Sequence, residues 1–95
     1  MKKAYIYILT NPNHSVLYTG VTSNLVVRIR QHRDKIHPGF SARYNLSALI
    51  YYEEHPNIEA AIAREKQIKS WNRERKIALI ASSNPGWRNL FIEEE

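Results

Sequence analysis

Two short runs of tyrosine and aliphatic residues, Ala4 to Thr10 and Val16 to Val21, are separated only by Asn11-Pro12-Asn13-His14-Ser15. The separator is built from residues that fix φ or accept a left-handed backbone, so it reads as a turn. Two strand-like runs joined by so short a turn close as a β-hairpin, and the rest of the chain has to pack on that hairpin.

Downstream, Ser23 or Asn24 can cap a helix that runs to about Lys35. Its apolar side is Leu25, Val26, Ile29 and Ile36, and His37-Pro38-Gly39 ends it. Phe40 to Leu46 reads as a loop, and Ser47 to Glu54 as a third strand centred on Leu49-Ile50-Tyr51-Tyr52. His55-Pro56-Asn57 breaks that strand, and Asn57 caps a helix reaching Asn72. A last helix covers Arg73 to Ala81 and stops at Ser82-Ser83-Asn84-Pro85-Gly86; Trp87, Leu90 and Phe91 then read as a segment docking back on the body. The order β-β-α-β-α-α defines an α+β fold, a small three-stranded antiparallel sheet flanked by helices. Residues 1–92 form one domain and Glu93, Glu94 and Glu95 an acidic tail.

The helix from Asn57 to Asn72 carries an anomaly. Ile58, Ala61, Ile62, Glu65, Ile68 and Lys69 fall at helical spacing and mark a core-facing stripe with Glu65 near its centre. A carboxylate there is costly unless a cation or several donors compensate it, which points to a metal or an arginine nearby. A buried ion pair with Arg28 or Lys69, without any metal, is the structural alternative.

Charge and composition narrow the classes. The chain carries 14 Lys/Arg against 9 Asp/Glu, net +5, and without the three terminal glutamates the balance is fourteen against six, or +8. The bases cluster at Arg28–Lys35 and Arg64–Lys76, as expected of a domain that meets a polyanion such as nucleic acid. Neither stretch has a continuous apolar face free of core duties, which argues against a membrane surface. The absence of cysteine excludes disulfides and thiolate metal sites and sets an intracellular default. No apolar run approaches a membrane span, and Met1-Lys2-Lys3 followed by Tyr5-Ile6-Tyr7-Ile8-Leu9 is too short and aromatic for a signal peptide. A cytoplasmic location is the resulting expectation.

The hairpin motifs resemble a known family. Tyr5-Ile6-Tyr7 and Tyr18-Thr19-Gly20, with Arg28 eight positions after Gly20, His32 four after Arg28 and Glu65 on a later helix, resemble the ordered motifs of the GIY-YIG nucleases. The similarity runs over nearly the whole chain and is greatest to small stand-alone members related to the N-terminal nuclease domain of the bacterial excinuclease C subunit. Two positions depart from the motifs: Tyr5 stands where glycine is usual, and Thr19 replaces an isoleucine. The resemblance implies a metal-dependent endonuclease that hydrolyses DNA by in-line attack of water, with a place in DNA repair. Tyr7 would be general base, Tyr18 or His32 would position the water, and Arg28 would steady the phosphorus. Glu65 would hold one divalent ion, most plausibly Mg²⁺. Gly20 would allow close approach, and an asparagine would support the site: Asn84 is the candidate, with Asn72 and Asn89 also available.

These residue types suit those roles. Tyr7 and Tyr18 lie on paired strands and can share a sheet face. Arg28 and His32, four apart, project from one side of the first helix. A guanidinium holds two phosphate oxygens at once. Arg30, Arg33, Lys66, Lys69, Arg73 and Lys76 are the expected contacts to the nucleic-acid backbone, DNA first with RNA not excluded; on the second long helix a merely solvated face is the other reading. His32 is balanced between a site residue and a partly buried helix histidine, while His14, His37 and His55 read as surface loop residues. Trp71 and Trp87 read as core or docking residues before base-stacking ones. Family members with a defined target carry a separate specificity domain, so activity here is expected to be weak in isolation, structure-directed or dependent on a protein partner. The rival function is a catalytically silent nucleic-acid-binding module of the same fold.

Overall fold

The computed structural model describes residues 2–34 and 44–91. The elements run β1 (Ala4–Thr10), β2 (Leu17–Thr22), α1 (Leu25–Asp34), β3 (Ala48–His55), α2 (Ile58–Lys69) and α3 (Arg73–Ser83), the expected β-β-α-β-α-α order. The sheet order is β2-β1-β3 with both pairings antiparallel, so the first strand of the hairpin is central and β3 joins its other side. Ile6, Tyr7, Ile8 and Leu9 of β1 are accordingly among the most deeply buried side chains. Each large apolar side chain so covered contributes about 1.5–3 kcal/mol.

Alternation along β1 sorts the core into two layers. Ile6 and Ile8 meet Ala61 and Ile68 of α2 and Ile80 of α3 on one face. Tyr7 and Leu9 meet Ile29 of α1, Leu46 and Leu49 on the other. A register shift in the β1–β3 ladder falls between Ile8 and Leu9, where Leu9 pairs with Leu49 but Ile8 with Tyr51. Ile50 is the extra residue, and it joins Tyr51 in the α2-side layer.

The helix starts follow the caps. The Asn24, Asn57 and Asn72 side chains accept from the backbone N–H groups of Val27, Ala60 and Arg75. After α3, the Asn84 amide donates to the Ile50 and Arg88 carbonyls and its oxygen accepts from Arg88 N–H. The Leu90 N–H donates to the Leu49 carbonyl and Asn89 Oδ1 accepts from Leu49 N–H, so this segment closes the start of the β3 edge. Trp87 and Phe91 dock as expected, one on each core layer, whereas the Leu90 side chain stays exposed.

Two expected apolar faces are narrower than their spacing suggested. On α2 only Ala61 and Ile68 are fully buried, while Ile58 and Ile62 are 38% and 37% exposed. At about 100° per residue, Ala61 and Ile68 share one line along the helix; Glu65 lies about 40° and Ile62 about 100° to one side of it. The helix therefore rests on the Ala61–Ile68 line, and Ile58 and Ile62 are left exposed to one side of it. On α1, Ile29 is buried and Leu25 partly so, but Val26 is exposed. The expected end of this helix near Lys35, Ile36, the His37-Pro38-Gly39 stop, most of the Phe40–Leu46 loop and the acidic tail lie outside the described residues. No helix among the described residues is long and apolar enough to cross a membrane.

Candidate active site

Tyr7 sits directly opposite Gly20 across the β1–β2 ladder. A Cβ at Gly20 would run into the Cζ and hydroxyl of Tyr7 and meet its Cε2 at 2.9 Å. The absent side chain is thus the space into which the Tyr7 ring leans, and side-chain room, not backbone freedom, is what glycine supplies here. Tyr7 is 1% exposed.

Three rings meet at that point. Tyr7 and Tyr18 have centroids 6.3 Å apart, Tyr7 and His32 5.6 Å, and Tyr18 and His32 5.5 Å. His32 reaches the trio from α1, and its Nε2 lies 3.0 Å from the Tyr7 hydroxyl. Burial, chiefly, raises the Tyr7 pKa well above that of an ordinary phenol; the Tyr18 hydroxyl and the Glu65 carboxylate add to the rise, and only Arg28 opposes it. Desolvation thus outweighs the Arg28 guanidinium in the protein alone. Burial and then Arg28 lower the His32 pKa. In the tautomer protonated at Nδ1, a neutral His32 presents a lone pair at Nε2 and the Tyr7 O–H donates to it.

Arg28 itself is exposed on α1, and its charge reaches both Tyr7 and His32. Glu65 arrives from α2, whose buried residues pack on the other face of the sheet, yet its carboxylate still raises the Tyr7 pKa. Its side chain is only 16% exposed and pairs with Lys69 at 3.6 Å, a long contact. Among the described residues no group of three His, Asp or Glu side chains could enclose a metal. A single hard carboxylate with one loose ion pair still suits an ion that keeps most of its own water, as Mg²⁺ does.

The supporting asparagines have other work. Asn84 is 4% exposed and its amide is occupied by Ile50 and Arg88, Asn72 caps α3, and Asn89 Oδ1 accepts from Leu49 and Phe91 N–H groups. Asn84 thus acts as a clamp between α3 and β3. Several expected backbone contacts are likewise engaged within the chain: Lys69 with Glu65, Arg33 with Asp34 at 2.9 Å, and Arg73 with the His14 and Ser15 carbonyls of the hairpin turn. Lys66 and Arg30 are exposed and Lys76 half-buried.

A charged network went unseen in the sequence. The Glu53 carboxylate accepts from Arg64 through Nε at 3.0 Å and from its second terminal nitrogen at 3.0 Å, from the Tyr51 hydroxyl, and pairs with His55 Nε2 at 3.0 Å. Burial alone would raise the Glu53 pKa, but these partners win and lower it, while the Tyr51 phenol is pushed up to about 12. His55 is therefore the end of β3 and not a loop residue. Tyr51, Glu53 and His55 alternate along the chain, and that period was the available signal. Trp71 lies under two guanidinium groups, Arg75 at 4.1 Å and Arg64 at 5.1 Å from the ring centroid. His14, with φ of 58°, is an exposed turn residue as expected, and its ring lies 4.8 Å from that of Trp87.

Comparison with known proteins gives consistent results. Residues 3–78 match the model of the GIY-YIG catalytic domain. A UPF0213 protein of Streptococcus sanguinis is 37% identical over 82 residues, covering 82% of this chain and 88% of its own. One from Clostridium perfringens is 38% identical over 84 residues, covering 84% and 85%. The solution NMR structure of a UPF0213 protein from Bacillus halodurans superimposes with a TM-score of 0.59 at 25% identity and covers 92% of each chain.

Proposed function

The chain belongs to the GIY-YIG family of nucleases, and on that premise we propose that it is a metal-dependent endonuclease hydrolysing phosphodiester bonds of DNA. The observation that carries the reading is the buried Tyr7 hydroxyl, 3.0 Å from His32 Nε2 and within the fields of Arg28 and Glu65. A phenol with a raised pKa is a poor base unless its own hydrogen has somewhere to go. Here it does: as the attacking water gives a proton to the Tyr7 oxygen, the Tyr7 hydrogen passes to His32 Nε2. Tyr18, the more exposed of the two phenols, steers the water toward Tyr7. Arg28 takes two phosphate oxygens and offsets the charge that builds on them. Glu65 would hold one Mg²⁺, which when bound supplies positive charge to the departing 3′ oxygen. In this reading specificity is structure-directed or supplied by a protein partner.

A cleavage assay with and without Mg²⁺, on labelled DNA and RNA substrates, tests this reading. Wild type runs beside Arg28→Ala and Glu65→Ala, with folding of all three checked by circular dichroism. Cleavage by wild type alone is the expected result. Cleavage that both variants retain overturns the assignment, and intact DNA affinity without cleavage leaves a binding module of the same fold.

A further inference from the structure

Tyr7 has a second neighbour across the sheet. Tyr52 of β3 pairs with it directly, so both rings leave the same face. Tyr7 leans the other way, over Gly20, and is buried, whereas Tyr52 is 48% exposed. An open hollow of about 410 Å³ is lined by Tyr52, Tyr5, Val26, Asn24 and Glu54. Its volume falls in the range of small-molecule clefts, about 300–1,000 Å³.

We propose that this hollow is a nucleobase subsite, which holds an unstacked base of the strand being cut one strand away from Tyr7. The proposal rests on the nuclease reading above and gives its substrate class: DNA with an unpaired base near the scissile bond. Two tyrosine rings offer stacking surface that every base can use. The Glu54 carboxylate pairs with Lys3 at 3.3 Å and accepts from the Tyr5 hydroxyl at 3.4 Å. A carboxylate repels the phosphate backbone but accepts from an exocyclic amino group, as on cytosine. Lys2 and Lys3 line the adjoining hollow, which shares Ser23 with this one, and place cations where the phosphates would run. Glu54 as an acceptor for a base and Lys2 and Lys3 as cations for its phosphates favour a nucleotide as occupant over a second copy of the chain. In an intact duplex each base is stacked, and reaching Tyr52 would require flipping it out at a cost.

The test reads binding and cleavage separately. Fluorescein-labelled oligonucleotides of one sequence, as single strand, matched duplex and duplex with one mismatch, are titrated in EDTA by fluorescence anisotropy with wild type, Tyr52→Ala and Tyr52→Phe. Wild type is expected to prefer the single strand and the mismatch. Tyr52→Ala should lose about tenfold or more in affinity for them, with Tyr52→Phe close to wild type, as one lost stacking contact implies. Equal affinity of wild type and Tyr52→Ala for the single strand overturns the subsite, as does a preference for matched duplex. The same holds for a Tyr52-dependent dimer in sedimentation with oligonucleotide affinity unchanged. Mg²⁺-dependent cleavage of duplex that Tyr52→Ala leaves intact sinks the subsite and spares the nuclease. Tyr52-dependent binding of unpaired bases with no cleavage does the reverse.

Discussion

Gly20→Ala sets two opposing effects against each other. Glycine in a strand interior carries an entropic penalty of roughly 0.5–1 kcal/mol relative to alanine, so propensity alone makes the substitution stabilising. The structure puts a steric cost against it. The new methyl group would collide with the Tyr7 Cζ and hydroxyl and stand 2.9 Å from Cε2, and Tyr7, 1% exposed, has no solvent to move into. Overpacking of this kind costs about 1–3 kcal/mol. Displacing the ring also breaks the Tyr7–His32 hydrogen bond at 3.0 Å and strands a buried hydroxyl, about 1–3 kcal/mol more. Set against the propensity gain, the net is a loss of about 1–5 kcal/mol, which at roughly 4–8 °C per kcal/mol lowers Tm by about 4 °C or more. Urea unfolding of wild type, Gly20→Ala, Tyr7→Leu and the double variant measures it as a cycle. In the Tyr7→Leu background the ring atoms that collide are gone, so Gly20→Ala should cost less than half as much. A neutral or stabilising Gly20→Ala, or an equal cost in both backgrounds, would show that the Gly20–Tyr7 contact does not hold this site in shape.

Three further outcomes are expected. Glu65→Gln should reduce Mg²⁺-dependent cleavage at least a hundredfold while shifting the urea midpoint little, because its ion pair with Lys69 is long. Asn84→Ala removes three hydrogen bonds at a site 4% exposed and should destabilise by about 2–4 kcal/mol, read by urea unfolding. Because the folded His32 pKa lies below the ordinary 6.5, the unfolded chain takes up a proton that the folded chain refuses. Stability from this group is thus complete above pH 6.5 and is lost as pH falls through the folded value, and a His32→Gln variant should show a flatter stability profile over that window.

The hairpin was legible because its information is local. The turn residues at Asn11–Ser15 and the shared face of Tyr7 and Tyr18 follow from composition and the two-residue period of strands, whereas the register that sets Tyr7 opposite Gly20 and Tyr18 opposite Leu9 came from the fold. The starts of α1 and α2 were legible for the same reason, since Asn24 and Asn57 cap them with their own side chains, whereas Asn72, expected to end α2, instead caps α3 after α2 stops at Lys69. The sequence also determined that Glu65 would be covered, because helical spacing sets it beside Ala61 and Ile68. It did not determine how far round the helix the sheet would reach, and Ile58 and Ile62 stayed outside.

What tertiary structure decided was register and depth. The shift at Ile8/Leu9 puts Tyr52 opposite Tyr7; an unbroken ladder continued from the Leu9–Leu49 pair would have put Tyr51 there. One inserted residue thereby sends Tyr51 to the Glu53–Arg64 network and leaves Tyr52 exposed beside the site. Depth worked the same way on Tyr7, whose phenol pKa is raised by burial that no single-residue property records. Local chemistry names the residues; long-range pairing and desolvation settle which of them meet, and in which protonation state.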